Sequence, residues 1–94
     1  MNASQLTLNI AVNLGRLARW VSEGRTARVD QFLVETEDYL RQLERTSKNP
    51  KFNKTFKIFK QKFSELKNNQ KLDDVWAEKA LTWANILTHR AKLA

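Results

Sequence analysis

The chain has 94 residues, a length that corresponds to a single domain with a small core. With 41% hydrophobic and 29% charged residues it has the composition of a globular protein, and the lack of Cys excludes disulfides and thiolate chemistry. A single His excludes the usual multi-His metal sites, and the formal net charge of +7 points to acidic partners.

The N-terminal segment Met1–Gly15 is apolar in part, but no basic region precedes it, and Asn9 and Asn13 interrupt the apolar residues. This pattern is not that of a signal peptide or a membrane anchor. No other window approaches the roughly eighteen continuous apolar residues that a spanning helix needs. Together with the lack of Cys, these features predict a cytoplasmic protein without a membrane span, and we expect residues 1–94 to form a single helical domain.

The first element has a pattern that fits two secondary structures. Residues 5–14 alternate apolar and polar as a strand does, whereas the apolar positions of Leu6–Val21 also recur at helical spacing. We predict a helix, because the pattern continues past Gly15 and no other segment offers a partner strand. Leu8 and Val12 then lie off the main apolar stripe and need a second surface for their burial.

The second helix has the clearest amphipathic pattern. Gly24 readily adopts the left-handed backbone conformation that ends a helix, so we expect the first helix to end there. Thr26 is the predicted N-cap of the second helix. Glu37 and Arg41 are four residues apart in the favourable order for an ion pair. The apolar stripe recurs at three- and four-residue steps and consists of Val29, Phe32, Leu33, Thr36, Tyr39, Leu40 and Leu43.

Two further helices begin at recognisable cap residues. Asn49 precedes Pro50, a pair typical of a helix start, and the apolar stripe that follows lies within an arc of about 80°. Asp73 is the predicted N-cap of the fourth helix, and Asp74 adds negative charge to its first turn. The apolar stripe of the third helix consists of Phe52, Phe56, Phe59, Phe63 and Leu66. The stripe of the fourth helix consists of Trp76, Ala80, Trp83, Leu87 and Ala91. We expect both of its tryptophans in the core.

The predicted loops between these helices are short. Consecutive helices joined by short loops pack antiparallel, because a short loop cannot carry the chain back to the other end of the preceding helix. We therefore predict an all-α protein, a small antiparallel up-and-down four-helix bundle.

The positive charge is concentrated around the third helix. Six Arg balance six acids in the first half of the chain, and three basic residues balance three acids after Lys71. The segment Lys48–Lys71 holds eight Lys and the single acid Glu65, so it carries the whole net charge of +7. Its lack of Arg favours charge contact over the planar, bidentate contacts that read bases.

The lysines of the third helix form the candidate binding site. Lys51, Lys54, Lys57 and Lys60 recur at every third residue, and Lys54 and Lys57 point away from the phenylalanine stripe. We predict that these four lysines bind a polyanion, either nucleic acid or an acidic protein. The alternative is a solvated outer face that only keeps the protein in solution. The phenylalanines share one face, which favours a core over a base-stacking platform.

Several apolar residues outside the stripes suggest a second kind of surface. Trp20 lies beside Arg16 and Arg19, and Ile58 is surrounded by lysines. Each of these two residues has two interpretations, an anchor that contacts a partner protein or an ordinary surface residue. The alternative function is therefore a structural or regulatory protein–protein module that self-associates as a weak homodimer. Its candidate interface residues are Leu8, Val12, Trp20, Ile58, Ile86 and Leu93.

Two other kinds of binding are disfavoured. The segment around Gly24 has the glycine turn of a helix-turn-helix DNA reader, with Arg25 and Arg28 as the residues that would contact DNA. However, Gly24 follows Ala18 at a greater spacing than that motif has. Membrane-surface binding is disfavoured because the apolar face of the third helix is committed to the core.

No set of residues supports catalysis. His89 has no acid at a spacing that would orient it, and we expect the carboxylate pairs Glu35/Asp38 and Asp73/Asp74 at exposed positions. The chain also lacks a Gly-rich phosphate loop. We therefore predict a non-catalytic basic binding module, not an enzyme, with no cofactor and no metal site.

Overall fold

The protein consists of four α-helices joined by short loops and contains no strand. The computed structural model describes all 94 residues. Its helices are α1 (Ala3–Ser22), α2 (Val29–Arg45), α3 (Pro50–Asn68) and α4 (Asp74–Arg90), followed by a short 3₁₀ turn over Ala91–Leu93. Residues 5–14 lie within α1, so the helix interpretation of the first element and the all-α class are confirmed.

Side chains cap the starts of three helices. Asn2 and Gln5 form a capping box at α1, in which each side chain accepts the other's backbone N–H at 2.8 and 2.9 Å. Asn49 and Asp73 accept backbone N–H groups of the first turns of α3 and α4 at 2.9 Å, with Pro50 as the first residue of α3. The predicted starts of α3 and α4 are confirmed.

The connection between α1 and α2 differs in part from the prediction. Gly24 adopts a φ of 72°, the left-handed conformation that favours glycine, and so turns the chain after α1. Thr26 is not the N-cap of α2, so that prediction was wrong. Ala27 and Arg28 form an additional turn, and the N–H of Val29 donates to the carbonyl of Thr26 at 3.2 Å.

Contacts between side chains show that α2, α3 and α4 run alternately up and down. Lys60 of α3 pairs with Glu44 near the end of α2 at 2.8 Å, and Lys67 pairs with Glu37, nearer the start of α2. On the other side of α3, the ring centroids of Phe59 and Trp83 are 5.5 Å apart, and the Arg90 Nη1 donates to Thr55 Oγ1 at 3.1 Å. Residue numbers that rise on one helix fall on its neighbour, as the up-and-down bundle requires.

The first and last helices also pack antiparallel against each other. One shallow depression is lined by Gly15 of α1 and Leu81 of α4, and a second by Leu8 and Thr88. Small side chains let these two backbones approach closely. The alanines buried in α1 and α4 are Ala3, Ala11, Ala18, Ala77, Ala80 and Ala84.

The bulky phenylalanines of α3 fill the centre of the bundle and hold its backbone further from the other helices. Phe52, Phe59 and Phe63 are almost completely buried. Trp76 is buried as well, and its indole N–H donates to the carbonyl of Leu66 at 2.9 Å. Trp83, predicted to be central, is only half-buried, because one edge of its ring faces the groove between α3 and α4.

Candidate polyanion-binding site

Three lysines on the outer face of α3 carry charge that the protein does not neutralise. Lys51, Lys54 and Lys57 are exposed and form no ion pair. Because a helix rises 1.5 Å and turns 100° per residue, the three Cα atoms span about 9 Å along the axis and an arc of about 120°. They form one continuous basic strip, which we call the α3 lysine strip.

The fourth predicted lysine is engaged within the fold. Lys60 Nζ lies 2.8 Å from Glu44 Oε1 and 5.2 Å from the centroid of the Phe56 ring. Its stem lies at the edge of the apolar face, where long side chains commonly cover hydrophobic surface. Lys60 therefore joins α3 to α2 and is less available to an external anion than the α3 lysine strip.

The other lysines of this basic segment also have partners. Lys67 pairs with Glu37 of α2, and Lys62 lies 3.5 Å from Glu65 on its own helix. Lys71 lies 3.9 Å from a carboxylate oxygen of Asp73 in the loop before α4. The excess charge of the segment is thus localised at the strip rather than distributed along the helix.

Lys48 has a structural role at the junction of α2 and α3. Its ammonium donates to the carbonyls of Leu43, Glu44 and Thr46 at 2.8, 3.1 and 2.9 Å. These carbonyls lie at the C-terminal end of α2, where a cation satisfies free acceptors and interacts favourably with the helix dipole. The same nitrogen lies 4.9 Å from the centroid of the Phe56 ring.

The ion pairs between α2 and α3 change the acidity of their carboxylates. The hydrogen bond from Lys67 lowers the pKa of Glu37 below its ordinary value of 4.5, with a further contribution from Arg41. The hydrogen bond from Lys60 lowers the pKa of Glu44 in the same way. Arg41 lies 2.8 Å from Glu37, which confirms the pair predicted within α2. Both carboxylates are thus held ionised by α3.

Arg90 extends the basic surface beyond α3. Its guanidinium donates to Thr55 between Lys54 and Phe56 in the sequence of α3, so it lies beside the first turns of that helix. The end of the chain approaches the same region, since the backbone N–H of Asn49 donates to the carbonyl of Ala94 at 2.9 Å. Arg90 was absent from the predicted site, although the predicted antiparallel order places the end of the fourth helix beside the start of the third.

The six predicted interface residues do not form one surface. Trp20 packs edge-to-face on Phe32 with the centroids 4.8 Å apart, at the border of α1 and α2. Ile58 is exposed on α3. Ile86 lies three residues after Trp83 and four before Arg90, both of which contact α3, so it belongs to the flank of α4 that faces α3.

Leu93 lies in the 3₁₀ turn that follows α4, and this turn packs against α1 and α4. Leu8 and Val12 are exposed together on α1. The predicted set therefore divides into Leu8 and Val12 on α1, Ile58 and Ile86 on α3 and α4, Leu93 in the terminal turn, and Trp20.

No three His, Cys, Asp or Glu side chains come together to hold a metal ion, and His89 is exposed. A groove of about 530 Å³ lies between α3 and α4, with Leu66 and Trp83 among its apolar residues. No helix of the protein is both long and apolar enough to cross a membrane.

No protein-family model, no curated protein and no solved structure matches this chain. The functional conclusion is therefore drawn from the residues and geometry of the chain itself.

Proposed function

We propose that the protein binds polyanions, nucleic acid or an acidic protein surface, through the α3 lysine strip. The observation that carries this proposal is the contrast among the lysines of one segment. Five of the eight have carboxylate or carbonyl partners, whereas Lys51, Lys54 and Lys57 are adjacent, exposed and unpaired. Adjacent cations repel one another, and an external anion relieves that repulsion.

The chemistry of the strip favours contact with charge over recognition of sequence. Lysine is a mobile point charge, and the strip contains no Arg that would make bidentate contacts to bases. Arg90 lies beside the strip, where its Nη1 donates to Thr55 and its other guanidinium N–H groups can donate to a phosphate or carboxylate. We therefore expect low sequence preference and strong dependence on ionic strength.

The experiment is a salt titration of binding to a fluorescently labelled DNA duplex and, separately, to polyglutamate. For the wild type, log affinity for duplex should fall linearly with log salt, with a slope of about −0.9 per phosphate neutralised. The triple variant Lys51→Gln, Lys54→Gln, Lys57→Gln should bind more weakly and give a shallower slope, because fewer counterions are released.

The matched control removes three charges from the same helix at lysines that already have carboxylate partners. Lys60→Gln, Lys62→Gln, Lys67→Gln should retain most of the wild-type affinity, since these amines are neutralised within the fold. Equal losses in both variants would show an effect of net charge without a site. Absence of binding to both probes at low salt, or binding that does not respond to salt, would contradict the proposal.

A further inference from the structure

The exposed surface shared by α1 and α4 is depleted of charge at its centre. Residues 1–15 contain no charged side chain, although 29% of the whole chain is charged. On this surface Leu8 is 43% exposed, Val12 51% and Leu81 49%. An apolar, uncharged centre of this kind is typical of the interior of a protein–protein interface.

The helix register brings these residues to one face. Gly15 and Leu81 line one depression between the helices, and Leu8 lines the next one toward the other end of the bundle. Val12 lies between Leu8 and Gly15 on the exposed side of α1. Polar but uncharged residues complete this centre, namely Ser4, Gln5, Asn85 and Thr88.

Charges of opposite sign lie at the two ends of this face. Asp74 and Glu78 line the depression at one end, together with Arg19, and His89 and Lys92 line the depression at the other. None of these five side chains forms an ion pair within the protein. The face therefore has an excess of acidic side chains at one end, an uncharged centre and basic side chains at the other end.

We infer that this α1–α4 face binds a second copy of the chain across a two-fold axis. A two-fold axis through the groove between α1 and α4 lays α4 of each copy across α1 of the other. It brings the Glu78 end of each copy to the Lys92 end of the other, and it places Val12 of both copies near the axis because Val12 lies between the two depressions. The same patch is thus complementary to itself, as a two-fold dimer requires. The molecule measures 37 × 20 × 18 Å, so one long face has the dimensions of a standard interface of roughly 800 Å² per partner.

This dimer leaves the α3 lysine strip outside the interface, because α3 is the helix diagonally opposite α1 in the bundle. Binding of a second copy by the α1–α4 face and binding of polyanions by the strip are therefore independent of each other. It also refines the interface expected from the sequence, because Leu8 and Val12 are joined by Leu81 rather than by Ile86 and Leu93.

The first test is sedimentation equilibrium of the wild type up to millimolar concentration at low salt. The expected mass at high concentration is twice the 11.0 kDa of the chain. Val12→Asp should weaken the dimer at least about tenfold, since two carboxylates then meet near the axis without solvent. The matched control is Val34→Asp on the outer side of α2, where Val34 is 67% exposed, and it should dimerise as the wild type does.

The second test exchanges the charges at the two ends of the face. Glu78→Lys and Lys92→Glu should each be monomeric alone, because residue 78 of one copy and residue 92 of the other then carry the same charge and repel. When the two variants are mixed, both pairs in the heterodimer are again opposite in sign, so dimers of twice the monomer mass should reappear. Far-ultraviolet circular dichroism of each variant verifies that the fold is retained.

A wild type that stays at the monomer mass at all concentrations would overturn the inference. Equal weakening by Val12→Asp and Val34→Asp would overturn it as well, because the effect would then not belong to this face. Failure of the mixed charge variants to associate would overturn the antiparallel two-fold arrangement.

Discussion

The side-chain nitrogen of Asn13 is a buried donor without a hydrogen-bond partner. Asn13 is 3% exposed on α1, and its Nδ2 donates to no acceptor. The buried hydroxyls of Thr7 and Thr36 differ, because each donates to the backbone carbonyl four residues earlier, at 2.7 and 2.6 Å. An unsatisfied buried donor costs about 1–3 kcal/mol.

We predict that Asn13→Leu raises the free energy of unfolding by about 1 kcal/mol, because leucine fills a similar volume and leaves no donor unsatisfied. Urea denaturation with a two-state fit measures the change. Asn9→Leu, one turn earlier at a partly exposed position, is the control and should change stability by less than about 0.5 kcal/mol. A destabilised Asn13→Leu would mean that the amide has a partner in solution.

The two tryptophans of α4 show how far periodicity predicts burial. Trp76 and Trp83 are seven residues apart and share a face, as the sequence indicated. The pattern does not indicate which of them lies at the border with α3. That depends on Phe59, which packs on Trp83 from one side and leaves the other edge toward the groove.

At the scale of helices, α2 and α3 are joined across their polar edges by two ion pairs, Glu37–Lys67 and Glu44–Lys60. The sequence placed these lysines in the basic segment around the third helix. It did not predict their partners, because an ion pair between helices depends on their axial register, which hydrophobic periodicity does not determine.

The pair between Glu37 and Lys67 makes stability depend on pH. The pKa of Glu37 is lower in the folded protein than its ordinary value of 4.5, so its ionised form stabilises the fold above pH 4.5. That stabilisation is lost as the pH falls from 4.5 through the lower folded pKa. We predict that Glu37→Gln lowers stability at pH 7 and has little effect at pH 3.

Thermal denaturation of the wild type and Glu37→Gln across this pH range measures the effect. Glu35→Gln is the control, because Glu35 forms no ion pair, and its difference from the wild type should stay small at both ends of the range. A Glu37→Gln deficit that is equally large at pH 7 and pH 3 would show that packing, rather than ionisation, is responsible.

Helix boundaries followed the sequence where a side chain determines them. Asn49 and Asp73 cap the helices that they were expected to cap, because a carboxylate or amide oxygen directly satisfies the first N–H groups. Thr26 failed as a cap, because the chain makes a further turn after Gly24 before α2 begins. A good cap residue therefore predicts a start only when the adjacent loop permits the geometry.

At the scale of the molecule, the fold class and the exposure of the lysines followed from periodicity and charge. The division of the lysines into paired and unpaired groups did not, since it requires the positions of Glu37 and Glu44 on another helix. The sequence did not place Arg90 at the candidate site for the same reason, because its hydrogen bond to Thr55 is a contact between two helices.

The three unpaired lysines of the α3 lysine strip repel one another, which destabilises the fold. We predict that Lys51→Gln, Lys54→Gln, Lys57→Gln raises the free energy of unfolding by about 0.5 kcal/mol at low salt, from two like-charged pairs three residues apart. Urea denaturation should show this gain, and high salt should abolish it because exposed charges are screened. A loss of stability at low salt would mean that these lysines have partners within the fold.

The close packing of α1 on α4 has a consequence for biosynthesis. The two helices lie at opposite ends of the chain, so the alanine-lined side of α1 has no partner until α4 has left the ribosome. Synthesis proceeds at about 5–20 residues per second, and α1 must therefore wait for seconds with its apolar side uncovered. We conclude that the nascent chain completes its bundle late, and that a chaperone has its best opportunity to bind α1 before α4 packs on it.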